Sequence, residues 1–387
     1  MALLFQPACL GKMKLKNRVI RSATFENMAD ADGSPDLEIL NLYKELAEGE
    51  LGLIITGAAY VNKEGQILPL QIGAHDDYVM AKWEATIKLM HSYGTKIAVQ
   101  VAHAGRLINT RFMDRRHLLF PSKGAKYLRF SPVREMTKDQ IYKTISDFAN
   151  AAKRIKKTGF DAVQIHAAHG YLISSFLSPI TNRRLDEWGG DRDGRSRFLL
   201  EIYKAMREAA GADFPILCKL SVDDFVEGGI VLEEIIPVIQ KLFENGLNAL
   251  EISGGEMFQM FFLRGKEKLN FDYFLDYVKY TFISKISGLK RKPIFFQEAY
   301  FLTYAKRIKQ IVNMPLILSG GIRDFYVAEK IIASGLADFI SLSRPLICEP
   351  GLPNRWQAGE RHPSVCRSCN RCLYGLIKDN KKLKCYY

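Results

Sequence analysis

Three observations on the sequence predict an α/β fold: a single (β/α)8 TIM barrel with an N-terminal cap and a C-terminal cysteine-rich extension. Eight short apolar runs rich in β-branched residues recur along the chain, longer stretches of helical periodicity separate them, and a polar residue or glycine follows nearly every run. The runs occupy residues 18–24, 52–60, 96–101, 162–166, 216–220, 249–253, 316–319 and 339–342. Several are apolar almost throughout, as a parallel strand must be when helices cover one face and packed side chains fill the other. Helical stretches fall at 36–48, 78–92, 138–158, 196–210, 232–245, 302–312 and 325–334, with apolar residues three to four apart. An open doubly wound sheet would be marked by a GxGxxG turn after its first strand, and none is there.

The residues that end the runs are chemically capable: Gly57, His103 and Arg106, His166 and His169, Asp223 and Asp224, Gly254 and Gly255, Gly320 and Gly321, Ser343 and Arg344. In a closed barrel all these ends converge on one face, where chemistry is built. Residues 107–134, after the third run, are long enough to form a lid. The barrel is assigned to residues 1–361 and the extension to 362–387.

Hydrophobic residues make up 48% of the chain and charged residues 25%, the balance of a protein with a large core and a wet surface. No apolar run approaches the roughly 18 residues that span a bilayer. The N-terminus lacks the basic and apolar regions of a signal peptide. A cytoplasmic protein with no membrane partner is expected. The net charge of +13 draws anions to the surface. A phosphate-bearing cofactor, an acidic substrate or an acidic electron-transfer protein all suit it. The positive charge is scattered, its densest clusters being Arg115-Arg116, Lys290-Arg291-Lys292 and Lys381-Lys382, so no nucleic-acid partner is expected.

His166 and His169 stand three apart just past a strand end, with Tyr171 two residues on. Two imidazoles can donate to the oxygen of an electron-poor alkene and stabilise the enolate-like charge that develops. A tyrosine can return a proton to carbon. A zinc site would want a third ligand nearby. Gly320-Gly321 and Ser343-Arg344 offer backbone amides and a forked cation, which a phosphate dianion needs. Ser253-Gly254-Gly255 repeats the glycine turn, so the ordered pair SGG…SRP carries more weight than either part.

Cysteine placement is uneven. Cys9, Cys218 and Cys348 are isolated, whereas Cys366, Cys369, Cys372 and Cys385 follow a C-x2-C-x2-C-x12-C pattern. Four thiolates at this spacing can enclose an iron–sulfur cube or a tetrahedral zinc.

Residues 159–198 carry the long ordered pattern HxxHGYLxxxFLSPxxNxRxDxxGG. With Lys16-Asn17-Arg18, QVAHAGR at 100–106, SGGI at 319–322 and SRP at 343–345, it resembles the old yellow enzyme family of FMN-dependent ene reductases over about residues 3–361. The resemblance implies FMN as cofactor, NADH or NADPH as possible electron donor, and a small α,β-unsaturated carbonyl-type substrate. It implies that His166 and His169 bind the activating oxygen and that Tyr171 protonates the α-carbon. Gln100 would hold the pyrimidine edge of the flavin, and Lys219 would stand near its N1–C2=O. Ala58 and the backbone of Ser22, Ala23 and Thr24 would face the reactive edge, with the phosphate held by Gly320, Gly321, Ser343 and Arg344. The chain departs from the pattern at Phe25, where many relatives have cysteine or threonine, and at Glu26 and Asn27, where some relatives line the substrate pocket.

The cysteine spacing is similar to that of the iron–sulfur branch of this family, which includes trimethylamine dehydrogenase and 2,4-dienoyl-CoA reductase. It implies a 4Fe-4S cluster on Cys366, Cys369, Cys372 and Cys385 that relays single electrons. Members of that branch continue into dinucleotide-binding domains. This chain is therefore expected to take electrons directly from NAD(P)H, or from an acidic electron-transfer protein at the basic stretch 378–384. Relatives also imply a homo-oligomer. An amine dehydrogenase is an alternative activity, opposed by His166 where a tyrosine is expected. A dihydrouridine-synthase-like RNA-modifying flavoprotein is another, opposed by the HxxHGY pattern and by the lack of an RNA-binding helical domain.

Overall fold

The computed structural model describes residues 2–114, 118–123, 134–255, 290 and 296–386. Eight parallel strands close a barrel: β1 (Val19–Arg21), β2 (Leu53–Tyr60), β3 (Lys96–Ala102), β4 (Ala162–Ala167), β5 (Ile216–Ser221), β6 (Ala249–Ser253), β7 (Leu316–Leu318) and β8 (Phe339–Leu342). Each pairs with its successor, and β8 returns to β1 through Ile340 opposite Val19 and Leu342 opposite Arg21. Closure leaves no free sheet edge. Helices α1 (Leu37–Glu48), α2 (Glu84–Ser92), α3 (Lys138–Thr158), α4 (Arg192–Ala210), α5 (Leu232–Glu244), α6 (Leu302–Lys309) and α7 (Phe325–Ala333) run between successive strands, and α8 (Arg344–Cys348) follows β8.

Local sequence explains these elements. In α3, Thr137 and Gln140 form a reciprocal capping box, and Gly159 at φ +98° ends the helix in the left-handed conformation that costs glycine least. Its buried face carries Ile141, Ile145, Phe148, Ala152 and Ile155, and each large apolar side chain there contributes about 1.5–3 kcal/mol. The helix expected over 78–92 is two pieces, Asp77–Ala81 and α2. The break lies at Lys82-Trp83, where the buried indole packs against Tyr43 and Phe160 at ring distances of 6.0 and 5.4 Å.

The N-terminal cap is a small antiparallel hairpin, Ala8–Leu10 with Met13–Leu15. Leu10, Met13 and Leu15 join Leu53, Ala162, Ala249 and Phe339, the first residues of their strands, in one apolar cluster. This closes the N-terminal end of the barrel and leaves the other end for chemistry.

The C-terminal extension folds back over that other end. Its helix, Arg371–Asp379, and the irregular stretch after it meet the segment following β1. The Leu383 amide donates to the Glu26 carbonyl (2.9 Å), and Asn27 Nδ2 donates to the carbonyl and side-chain oxygens of Asn380 (3.0 and 2.9 Å). Leu376 and Leu383 share an apolar cluster with Ile67, Leu68, Ala104 and Ile108, against which Phe25, Tyr171 and Cys372 also pack.

Of the expected lid, Leu119–Phe120 pairs with Arg134–Glu135. Residues 115–117 and 124–133 of it, with Arg115 and Arg116, lie outside the described residues, as do Arg291, Lys292 and Tyr387. No helix among the described residues is long and apolar enough to cross a membrane.

Candidate active site

The floor of the site is a charged layer inside the barrel. Lys219 on β5 and Glu251 on β6 are register partners, with Nζ 3.2 Å from Oε1. Ser22 and Ser341 donate to the same carboxylate oxygen (2.6 and 2.8 Å), and Gln164 donates to the other (2.8 Å). Lys219 also donates to Ser22 Oγ (2.7 Å), while Gln100 donates to Gln164 Oε1 (2.7 Å). Burial pushes the Glu251 carboxyl pKa up, but the Lys219 charge and the three hydrogen bonds outweigh it and hold Glu251 below its ordinary range. A carboxylate with this many donors stays ionised at the centre of the barrel.

Above this layer stand His166, His169 and Tyr171. The two imidazole rings are 5.2 Å apart and nearly perpendicular, and the Tyr171 ring is 4.8 Å from His166. His169 adopts φ +65°, an uncommon conformation for a side-chain-bearing residue. Its amide donates to Ser221 Oγ (3.2 Å), and its Nε2 lies 2.6 Å from Ser253 Oγ. The second SGG sequence is therefore a histidine support. Burial lowers the pKa of both imidazoles, assisted by the Lys219 charge: His166 falls well below its ordinary value and His169 to about 3. Both are neutral at pH 7, each with one N–H to donate. Burial raises the Tyr171 phenol, which keeps its proton. His166 Nδ1 is buried without a hydrogen-bond partner, an arrangement that costs about 1–3 kcal/mol unless a ligand satisfies it.

The strand ends around this triad hold the other expected residues. Ala58 and Gln100 are register partners on β2 and β3. Thr24 and Ser343 bring their hydroxyls to 2.9 Å across the β1–β8 seam, and Ala23 packs beside the inner apolar cluster. Gly320 and Gly321 have φ +103° and +78°. A methyl group on Gly320 would come within 2.7 Å of the Phe301 and Tyr300 rings, so only glycine fits this turn. The glycine cradle and the Lys219 ammonium fit a bound flavin phosphate and ring, and the unpartnered His166 nitrogen fits a ligand beside them.

Arg344 lies beside Tyr300, whose ring packs on Gly320 and Gly321. Its Nη1 donates to Asn370 Oδ1 (2.6 Å) and its guanidinium lies 5.7 Å from the Phe296 ring. It lines a small cleft that also takes in Cys366, Cys369, Cys372, Cys385 and Cys348. Among the described residues no three histidine, cysteine or carboxylate side chains converge as they would on one metal ion. The lysines of the expected basic patch are engaged within the chain. Lys378 meets the Tyr374 hydroxyl, Lys381 pairs with Asp379 at 3.1 Å, Lys382 pairs with Glu38, and Lys384 lies over the Tyr386 ring.

Glu26 is not a pocket residue. Its Oε1 accepts from Arg21 (2.9 Å), the Tyr43 hydroxyl (2.8 Å) and the Gly57 amide (2.9 Å), all buried. Asn27 turns to the extension, as described above. Sequence reading missed Glu251, Gln164, Ser341 and Cys348. A signal existed for Glu251: a lone acid in an otherwise apolar strand, matched by a lone lysine in the strand before it.

The sequence profile of the NADH:flavin oxidoreductase / NADH oxidase family matches residues 3–260. The chain is 35% identical to an NADH oxidase of Thermoanaerobacter brockii over 99% of its own length, and it spans 55% of that protein. It is 31% identical to a 4,4'-dithiodibutanoate disulfide reductase of Rhodococcus erythropolis, covering 96% of this chain and 92% of the relative. Morphinone reductase superposes with a TM-score of 0.72 at 25% identity, over 94% of this chain and 91% of the other.

Proposed function

This chain belongs to the NADH:flavin oxidoreductase / NADH oxidase family, and we propose that it is an FMN-dependent ene reductase acting on α,β-unsaturated carbonyl-type compounds. The observation that carries this reading is the neutral, buried His166–His169 pair beside a protonated Tyr171. When bound, the flavin supplies hydride chemistry. The chain's own residues do the rest. His166 and His169 hold the substrate oxygen as neutral donors in a desolvated site, where their hydrogen bonds stabilise growing enolate charge more than ground-state charge. Tyr171 delivers a proton to the α-carbon. Lys219, paired with Glu251, would sit beside the flavin ring, and Gly320-Gly321 with Ser343 and Arg344 would hold the phosphate.

We assign a 4Fe-4S cluster to Cys366, Cys369, Cys372 and Cys385. Support comes from their spacing in the sequence and from their place around one cleft beside the Arg344 cation. NADH or NADPH is the favoured donor over an acidic electron-transfer protein, because intrachain partners already occupy the lysines of the extension. A homo-oligomer is proposed on the family resemblance.

Anaerobic half-reactions test the activity. Protein loaded with FMN and reduced by NADPH should be reoxidised by cyclohexenone, and Tyr171→Phe should slow that step at least tenfold while leaving reduction by NADPH unchanged. Reduction of the bound flavin by an alkylamine, with no reoxidation by enones, would favour amine oxidation and sink the proposal.

A further inference from the structure

We propose that the C-terminal segment 364–370 belongs to the flavin phosphate site: Arg323 and Asn370 are positioning residues for the phosphate, and the phosphate in turn orders the segment. The proposal rests on the FMN reading above, in which Gly320, Gly321, Ser343 and Arg344 take the phosphate. Each half of that cradle grips the segment through an arginine. Arg323 stands two residues past Gly321. Its Nη1 donates to the Cys366 carbonyl (3.1 Å), and its own carbonyl accepts from the Ser364 amide (2.8 Å). Arg344, next to Ser343, donates from Nη1 to Asn370 Oδ1 (2.6 Å).

The arginines are themselves held. Glu298 accepts from both the amide and Nε of Arg323 (2.9 Å each), so the guanidinium reaches Cys366 from a fixed root. Two residues on, the Tyr300 amide donates to the Gly320 carbonyl (3.2 Å), and the same short stretch thus braces the glycine turn. The Arg323 and Arg344 guanidinium groups lie 5.1 and 5.7 Å from the Phe296 ring. On the segment's side, Ser368 and Asn370 are buried at φ +55° and +62°. Side-chain-bearing residues hold that conformation only where their surroundings enforce it.

Asn370 takes one arm of the Arg344 fork and so sets the direction in which the guanidinium meets a phosphate. A dianion on the cradle holds Arg344 and the glycine amides in place and favours the seated segment. Linkage makes the effect reciprocal: the factor that the segment adds to phosphate affinity is the factor that the phosphate adds to the segment's seating. A flavin without phosphate does not engage it.

The full-length chain, stripped of flavin and titrated with FMN or riboflavin, tests this. Asn370→Gly removes Oδ1 and accepts φ +62°. It should weaken FMN binding at least tenfold and leave riboflavin binding unchanged. In the wild type, amide hydrogen exchange across 364–372 should slow on adding FMN but not on adding riboflavin, read against β3 and β4 as internal controls. Where Asn370→Gly does not fold, Arg323→Lys replaces it, keeping a cation beside Glu298 with the same expectations. A loss of FMN affinity below tenfold, equal losses for both flavins, or equal protection by both overturns this proposal alone. A wild-type chain that binds neither flavin overturns the FMN reading and this proposal with it.

Discussion

Lys219 and Glu251 face each other across neighbouring strands of the barrel, 3.2 Å apart and almost wholly removed from water. Breaking such a buried pair strands a charge and costs about 3–5 kcal/mol. Glu251→Gln should therefore destabilise the protein by about 3 kcal/mol in urea unfolding. It should also raise the midpoint potential of the bound flavin, because Lys219 is no longer neutralised and favours the anionic reduced form. A variant with wild-type unfolding and wild-type potential would show the pair to be inert.

His169 makes stability depend on pH. Its ordinary pKa is 6.5 and its folded value is about 3, so between these limits the unfolded chain binds a proton that the folded chain excludes. The contribution is fully present above pH 6.5 and is lost as pH falls toward 3, at about 1.4 kcal/mol per pH unit. Melting temperatures from pH 7 to pH 4 should fall less steeply for His169→Asn than for the wild type. Parallel curves would rule out the buried neutral imidazole.

Gly320→Ala puts a methyl group within 2.7 Å of two aromatic rings at φ +103°. The turn must shift to accept it, and its amides move with it. FMN affinity should drop at least tenfold, about 1.4 kcal/mol, in a fluorescence titration, with the fold intact by circular dichroism. Unchanged affinity would place the phosphate elsewhere.

Asn27 links the extension to the barrel. Its φ of +53° suits glycine, so Asn27→Gly removes the side-chain hydrogen bonds to Asn380 without forcing the backbone. Amide hydrogen exchange across 371–383 should speed up while exchange in β3 and β4 stays slow. Equal protection in both proteins would mean that the apolar contacts alone hold the extension.

The eight strands and the HxxHGY triad were legible because each is written in local sequence: a buried parallel strand is an apolar run, and the triad lies within six consecutive residues. The second tier was not. Glu251 matters because β6 lies beside β5 in one particular register, and Gln164 because it bridges Gln100 to Glu251; neither fact is local. The hairpin at the barrel floor has strands of three residues, too short for periodicity to show. Trp83 broke an expected helix because the core between Tyr43 and Phe160 claimed its indole. Cys348 gave no sign of its neighbours, since the return of the chain over the barrel mouth is what delivers Cys385 to it.

The way the extension is seated also bears on solubility. Ile67, Leu68, Ala104 and Ile108 of the barrel are dry because Leu376 and Leu383 share their cluster. A barrel cut at residue 361 would present that apolar surface to water at the same end as its catalytic groups. Exposed apolar patches of this kind drive self-association. The cysteine segment is thus a stopper for an apolar surface, and a barrel separated from it should self-associate.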